Sequence, residues 1–227
     1  MKNKFTAAIL ALSCAITMTA CTSSTATTRN VPALSAVDHE AKVEDTLQTL
    51  HDARNIRLKK DFISWGDHWT VYADDIPVGH VNGKAIRLLN VYEFRDMNGV
   101  LIASEEENWK VVNATANLKN WQGHQEGRIE QEIFTMLAKL RIYRGDTQVG
   151  TIDQKFDFGM NAQIVNGDNT EWTLRGKVFT AGADLTLTRS HDDTVVTPLE
   201  AMWASLILHE ITSTSSSNNS SHNNTSK

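Results

Sequence analysis

Thr197-Pro198-Leu199-Glu200-Ala201-Met202-Trp203-Ala204-Ser205-Leu206-Ile207-Leu208-His209-Glu210-Ile211 is the stretch that decides the fold. Thr197 reads as an N-cap, Pro198 as the first helical residue, and Glu200 as the partner that completes a capping box. Leu199, Ala201, Met202, Trp203, Ala204, Leu206, Ile207, Leu208 and Ile211 then cover nearly every face of the helix. A helix apolar on all sides has to be buried on all sides. Pro198 to Ile211 is 14 residues, roughly 21 Å of helix and too short to span a bilayer. A sheet that curls around it satisfies the demand.

The chain ahead of this helix is strand-like. Trp69 and Val71 alternate with polar residues, as do Leu140 and Ile142, and Leu185 and Leu187. Tyr72 to Lys84 also superposes without gaps on Tyr143 to Lys155, with five identical positions: Tyr, Asp, Val, Gly and Lys. Each copy reads as strand, acidic turn, strand, with the glycine permitting close backbone approach or a bulge. A shorter echo runs through Phe134, Phe156 and Phe179, spaced by 22 and 23 residues. The predicted fold is therefore mostly β, an antiparallel barrel of repeated hairpins around a buried apolar C-terminal helix. Residues 107–127 interrupt the rhythm. Trp109, Val112, Ala116 and Trp121 fit one side of a helix, and the stretch reads as a rim insertion or, equally, as a long polar loop.

At the other end, Lys2 and Lys4 precede an uncharged, apolar or small run from Phe5 to Thr19. That is the pattern of an export signal over residues 1–20. It closes on Met18-Thr19-Ala20-Cys21, which resembles the bacterial lipobox, where cleavage precedes a cysteine that carries diacylglyceryl. The resemblance implies that Cys21 is the lipidated first residue of the mature protein; Met18 stands where Leu is usual. The plainer reading is a secretory signal with a cysteine beside it. The chain has 2 Cys, Cys14 and Cys21, so cleavage leaves one, with no intrachain disulfide and no cysteine zinc site. Each buried acyl CH₂ contributes roughly 0.8 kcal/mol, so two or three chains anchor durably. Thr22 is not the Asp that retains such proteins in an inner membrane. The resemblance thus implies the outer membrane, facing the periplasm.

Residues 21–34 read as a flexible tether and 35–57 as an amphipathic helix. Ser35 and Asp38 cap that helix, and Val43, Leu47 and Leu50 recur along it. Residues 212–227 are Ser, Thr and Asn with almost no apolar side chain, and read as a disordered tail.

Residues 58–211 resemble the LURP-one-related branch of the tubby-like superfamily, which includes phospholipid scramblases. The likeness is carried by Phe62-Ile63-Ser64-Trp65-Gly66-Asp67-His68-Trp69-Thr70-Val71-Tyr72, by Phe94-Arg95-Asp96-Met97-Asn98-Gly99, by the Val-Gly repeats, by Trp172-Thr173-Leu174-Arg175-Gly176 and by the final helix. It implies a barrel threaded by that helix, and lipid contact. Two features depart from the pattern. The 107–127 stretch is extra, and Arg189 to Val196 is short for the strands that normally precede the helix. The barrel then has fewer strands, or borrows one from 35–57.

The 227 residues carry a net charge of −5, which argues against nucleic acid as a partner. His39, His51, His68, His80, His124, His191, His209 and His222 include no ligand-spaced pair, so no metal site is read. His209 reads as a core or helix-end histidine. Ser190-His191-Asp192-Asp193 has triad residue types, but adjacency does not make a triad. Glu105-Glu106-Glu107 could attract a cation or a basic partner, and reads more simply as a solvated strand end. Asn166-Gly167-Asp168-Asn169 reads as a hairpin turn, Trp203 as core, and Trp65 as a loop aromatic. No catalytic residue and no cofactor site is assigned; Cys21 is the one assigned site. The expectation is a non-enzymatic, lipid-anchored envelope protein whose barrel binds a lipid or other membrane-surface ligand. The alternative is an envelope assembly factor acting through protein contacts, and the third class is a hydrolase whose site no motif reveals.

Overall fold

The computed structural model describes residues 35–60, 67–86, 89–109, 114–132, 139–154, 160–177 and 183–219. Cys21, the export signal, the tether, Trp65 and the Phe134, Phe156 and Phe179 echo lie outside them. A helix, α1 (Ala36–Asp52), is followed by β1 (Asn55–Lys60), β2 (His68–Ala73), β3 (Ile76–Ile86) and β4 (Leu89–Asp96). Next come β5 (Leu101–Trp109), β6 (Ala114–Asn120), β7 (Gln125–Glu132) and β8 (Lys139–Arg144). The chain continues through β9 (Thr147–Gln154), β10 (Ala162–Asn166), β11 (Asn169–Lys177), β12 (Asp184–Arg189) and α2 (Pro198–Asn219). Each strand pairs antiparallel with its neighbours in sequence, and β1 pairs with β12 from Asn55–Thr188 to Lys59–Asp184, closing a barrel of twelve strands. Closure leaves no free sheet edge.

Five hairpins (β2–β3, β4–β5, β6–β7, β8–β9 and β10–β11) turn at one end of the barrel, here the hairpin end, and in each the ladder shifts register beside the turn. Such bulges add twist and help a sheet curl shut. The repeat occupies two of them. Val71 faces Gly79 and Ile142 faces Gly150, each just before the bulge. A Cβ on Gly79 would lie 2.2 Å from the Arg95 carbonyl oxygen, and one on Gly150 2.7 Å from Val196 Cγ2. The repeated glycine therefore admits close packing, as its place in the sequence suggested.

The inward-facing strand residues and α2 form one core. Ala201 to Leu208 are all buried, and Ile56, Val71, Phe94, Leu140, Ile152, Leu174 and Leu187 surround them from the wall. α2 starts at the hairpin end, where Thr197 N–H donates to Glu200 Oε2 at 2.8 Å and Glu200 N–H to Thr197 Oγ1 at 3.3 Å. This is the reciprocal box read from the sequence. α1 lies over the same end, with Asp38 N–H donating to the Ser35 hydroxyl at 3.2 Å and with Val43 and Leu50 buried. His39 stacks on Trp121 at 4.5 Å and bonds the Leu101 carbonyl at 3.0 Å.

Three boundaries differ from the reading above. The 35–57 helix stops at Asp52, because Ala53 is extended and Asn55 begins β1. That strand is the one the barrel takes from the region. Within 107–127, where 110–113 lie outside the described residues, the chain forms the end of β5, the whole of β6, a short turn and the start of β7 in place of the expected insertion or long loop. Ala116 and Leu118 face inward between Thr115, Asn117 and Lys119, so a period of two governs β6; Val112 lies outside the described residues. Residues 212–219, assigned to a disordered tail, continue α2 to Asn219. Thr212 Oγ1 donates back to the Leu208 carbonyl at 2.9 Å, and Ser213 Oγ to the Glu210 carbonyl at 3.0 Å.

Candidate functional site

The lumen is filled by α2, so recesses occur where the helix enters and where it leaves. At its entry, Leu118, Gly127, Leu199 and Trp203 line an apolar recess of about 370 Å³, with Lys119 and Arg144 also in its lining. Gly127 lets β7 approach β8 closely, since a Cβ there would lie 2.5 Å from the Tyr143 carbonyl oxygen. Arg144 grips Glu200 through two bonds, Nε to Oε1 at 2.9 Å and Nη2 to Oε2 at 2.6 Å. Trp203 Nε1–H is buried and has no acceptor among the described residues, a deficit of about 1–3 kcal/mol. A groove of about 480 Å³ under α1, lined by Val43, Leu47, Ile102 and Trp121, shares Leu199 and Glu126 with this recess.

At its exit, α2 meets a polar network inside an otherwise apolar barrel. The alternation of β5 turns Glu105 and Glu107 inward, 1% and 3% exposed, while Glu106 faces out and pairs with Lys119. The solvated strand end expected for Glu105-Glu106-Glu107 is thus corrected for two of the three. Glu210 comes from α2, and Tyr92 from β4. The Tyr92 hydroxyl lies within bonding distance of Glu210 Oε1 and is 3.2 Å from Asp67 Oδ2. Asp67 in turn pairs with Lys60, whose ammonium lies 5.6 Å from the Trp69 ring centre. A cavity of about 170 Å³ opens among Lys60, Asp67, Trp69, Tyr92, His209 and Glu210.

Burial dominates the titration of these groups. Desolvation, then hydrogen bonding and charge from Glu107, pushes Glu210 up to about 8. Desolvation, with Glu107 and Glu210 adding repulsion, pushes Glu105 well above the carboxyl range. Desolvation, with Lys60 adding to it, pulls His209 down to about 4, so its ring is neutral at pH 7. The Tyr92 phenol is raised by desolvation and by Glu210. Protonated carboxyl, phenol and neutral imidazole around one cavity form a set that can hold or pass a proton.

His209 is a buried helix residue, packed edge-on against Trp69 at 5.0 Å. Trp203 is core, and Asn166-Gly167-Asp168-Asn169 forms the β10–β11 turn with Gly167 at φ 58°. Ser190 to Asp193 are exposed in the connection to α2, with His191 Nε2 4.0 Å from Glu171 Oε1. Sequence reasoning missed Tyr92 and Glu210. A signal existed for Glu210, which lies seven residues beyond Trp203 and four beyond Leu206, on a buried helix face. For Tyr92 none did, since its partners are remote in sequence.

Fold and site together define a plugged antiparallel barrel with a recess at each end of its central helix. No protein-family model, curated protein or solved structure matches the chain.

Proposed function

We propose that this is a lipid-anchored, non-enzymatic envelope protein, held by Cys21 in the outer membrane facing the periplasm, whose barrel binds a lipid or other membrane-surface ligand. The observation that carries the reading is the apolar recess at the entry of α2. Its volume of about 370 Å³ falls in the roughly 300–1,000 Å³ range of small-ligand sites. It adjoins the end covered by α1, and Cys21 precedes Ser35 by 14 residues, a span of no more than about 50 Å. Such a tether would hold the start of α1 within about that distance of a bilayer. The sequence resemblance to tubby-like proteins points the same way. No described helix is long and apolar enough to cross a membrane; in this proposal acyl chains on Cys21 do the holding.

Replacing Cys21 with Ser tests the anchor. Fractionation of cells expressing the full chain should find wild type with the membranes and Cys21→Ser released to the soluble fraction. Equal membrane association of both would contradict it. The assembly-factor alternative draws on the groove under α1; it gains if crosslinking yields a discrete protein adduct that substitutions in α1 abolish.

A further inference from the structure

The network where α2 leaves the barrel is not used by the ligand reading and has its own logic. Tyr92 has one phenolic proton and stands against two carboxyl groups, Asp67 and Glu210. Glu107, buried on β5, is the third carboxyl close enough to raise Glu210. Two carboxylates share a hydrogen bond only if one of them carries a proton. Asp67 already neutralises Lys60, so that cation is committed to Asp67. The geometry thus calls for a resident proton between helix and wall.

We propose that Glu210 and Glu107 form a proton-binding site that latches the end of α2 to the barrel wall. The groups facing the site are Lys60 on β1, Asp67 ahead of β2, Tyr92 on β4, Glu105 and Glu107 on β5, and His209 on α2 itself. Four of these are acids against one ammonium and a neutral ring. Loss of the proton would leave Glu210 facing Glu107 and Asp67 as charges in a poorly solvated space, and the helix end relieves this by moving out into water.

The sign follows from linkage. Glu210 titrates near 8 when seated, against an ordinary value of 4.5. The seated state then holds a proton that the released state has lost, and the latch weakens as pH rises toward 8, then levels off. Glu105 works in the same direction. His209, titrating near 4 instead of 6.5, works oppositely, but only below pH 6.5.

Hydrogen exchange on the full chain, corrected for the intrinsic pH dependence of exchange, tests this over residues 206–213. In wild type, protection should fall by up to about tenfold per pH unit between 6.5 and 8, then flatten. Glu210→Gln, which keeps a donor for Glu107 without the titration, should lose most of that slope. Glu107→Gln removes the repulsion that raises Glu210 and should move the plateau to lower pH. A flat wild-type profile, or a Glu210→Gln slope equal to wild type, would overturn the latch. So would a plateau unmoved in Glu107→Gln, a readout that does not depend on the first variant folding.

Discussion

At Asp74 a single side chain ties two parts of the barrel together. Asp74 and Asp75 adopt left-handed backbone, with φ of 44° and 69°, which a two-residue hairpin turn requires and which aspartate tolerates. The Asp74 carboxylate accepts from Arg54 N–H at 3.0 Å and Asn55 N–H at 2.8 Å, fastening the β2–β3 turn to the start of β1. Desolvation pushes its pKa up, but those bonds win and hold it below the ordinary value. Asp74→Ala should cost about 0.5–1.5 kcal/mol at pH 7, since both bonds are solvent-exposed and screened. The penalty should shrink as pH falls through the carboxyl range, because a depressed carboxyl stabilises only while ionised. Denaturant midpoints at pH 7 and pH 3 measure it, and an equal loss at both would refute the bonding account. This residue was visible in the sequence as an acidic turn. Its tie to Asn55 was not, since nothing local signals a bond across 19 residues.

The start of α2 shows how one residue serves an element twice. Glu200 closes the capping box with Thr197 and receives both Arg144 bonds. Glu200→Ala removes both and should cost about 2–4 kcal/mol, while Glu200→Gln, which keeps the box, should lose less. Chemical denaturation of the two variants distinguishes them, and equal losses would mean the box contributes nothing. The capping box, the Ser35 cap and the hairpin repeat were legible because each depends on residues within one turn or one hairpin. Residues 107–127 misled because Trp109, Ala116 and Trp121 fall on the end of β5, on β6 and in the turn after it, so their spacing runs along no single element. The helix through 212–219 misled for a different reason: Ser and Thr are weak helix formers, yet their hydroxyls at 212 and 213 bond back into a helix already nucleated by the buried segment.

For the whole molecule, the all-round apolar α2 implied an enclosing sheet, and the barrel supplies it. Strand number was not readable, because it depends on β1 meeting β12 across 127 residues, as the Arg57–Asp184 pair shows. Nor was the carboxyl network, which the barrel assembles from β4, β5 and α2. A plugged lumen places ligand chemistry at the ends of the helix, and the recess beside Leu118, Leu199 and Trp203 is the roomier of the two. The most direct test is native mass spectrometry of the full chain purified gently from cells. The proposed function predicts one noncovalent lipid per chain, displaced when Leu118→Trp fills the recess. A folded protein with no noncovalent lipid would contradict it.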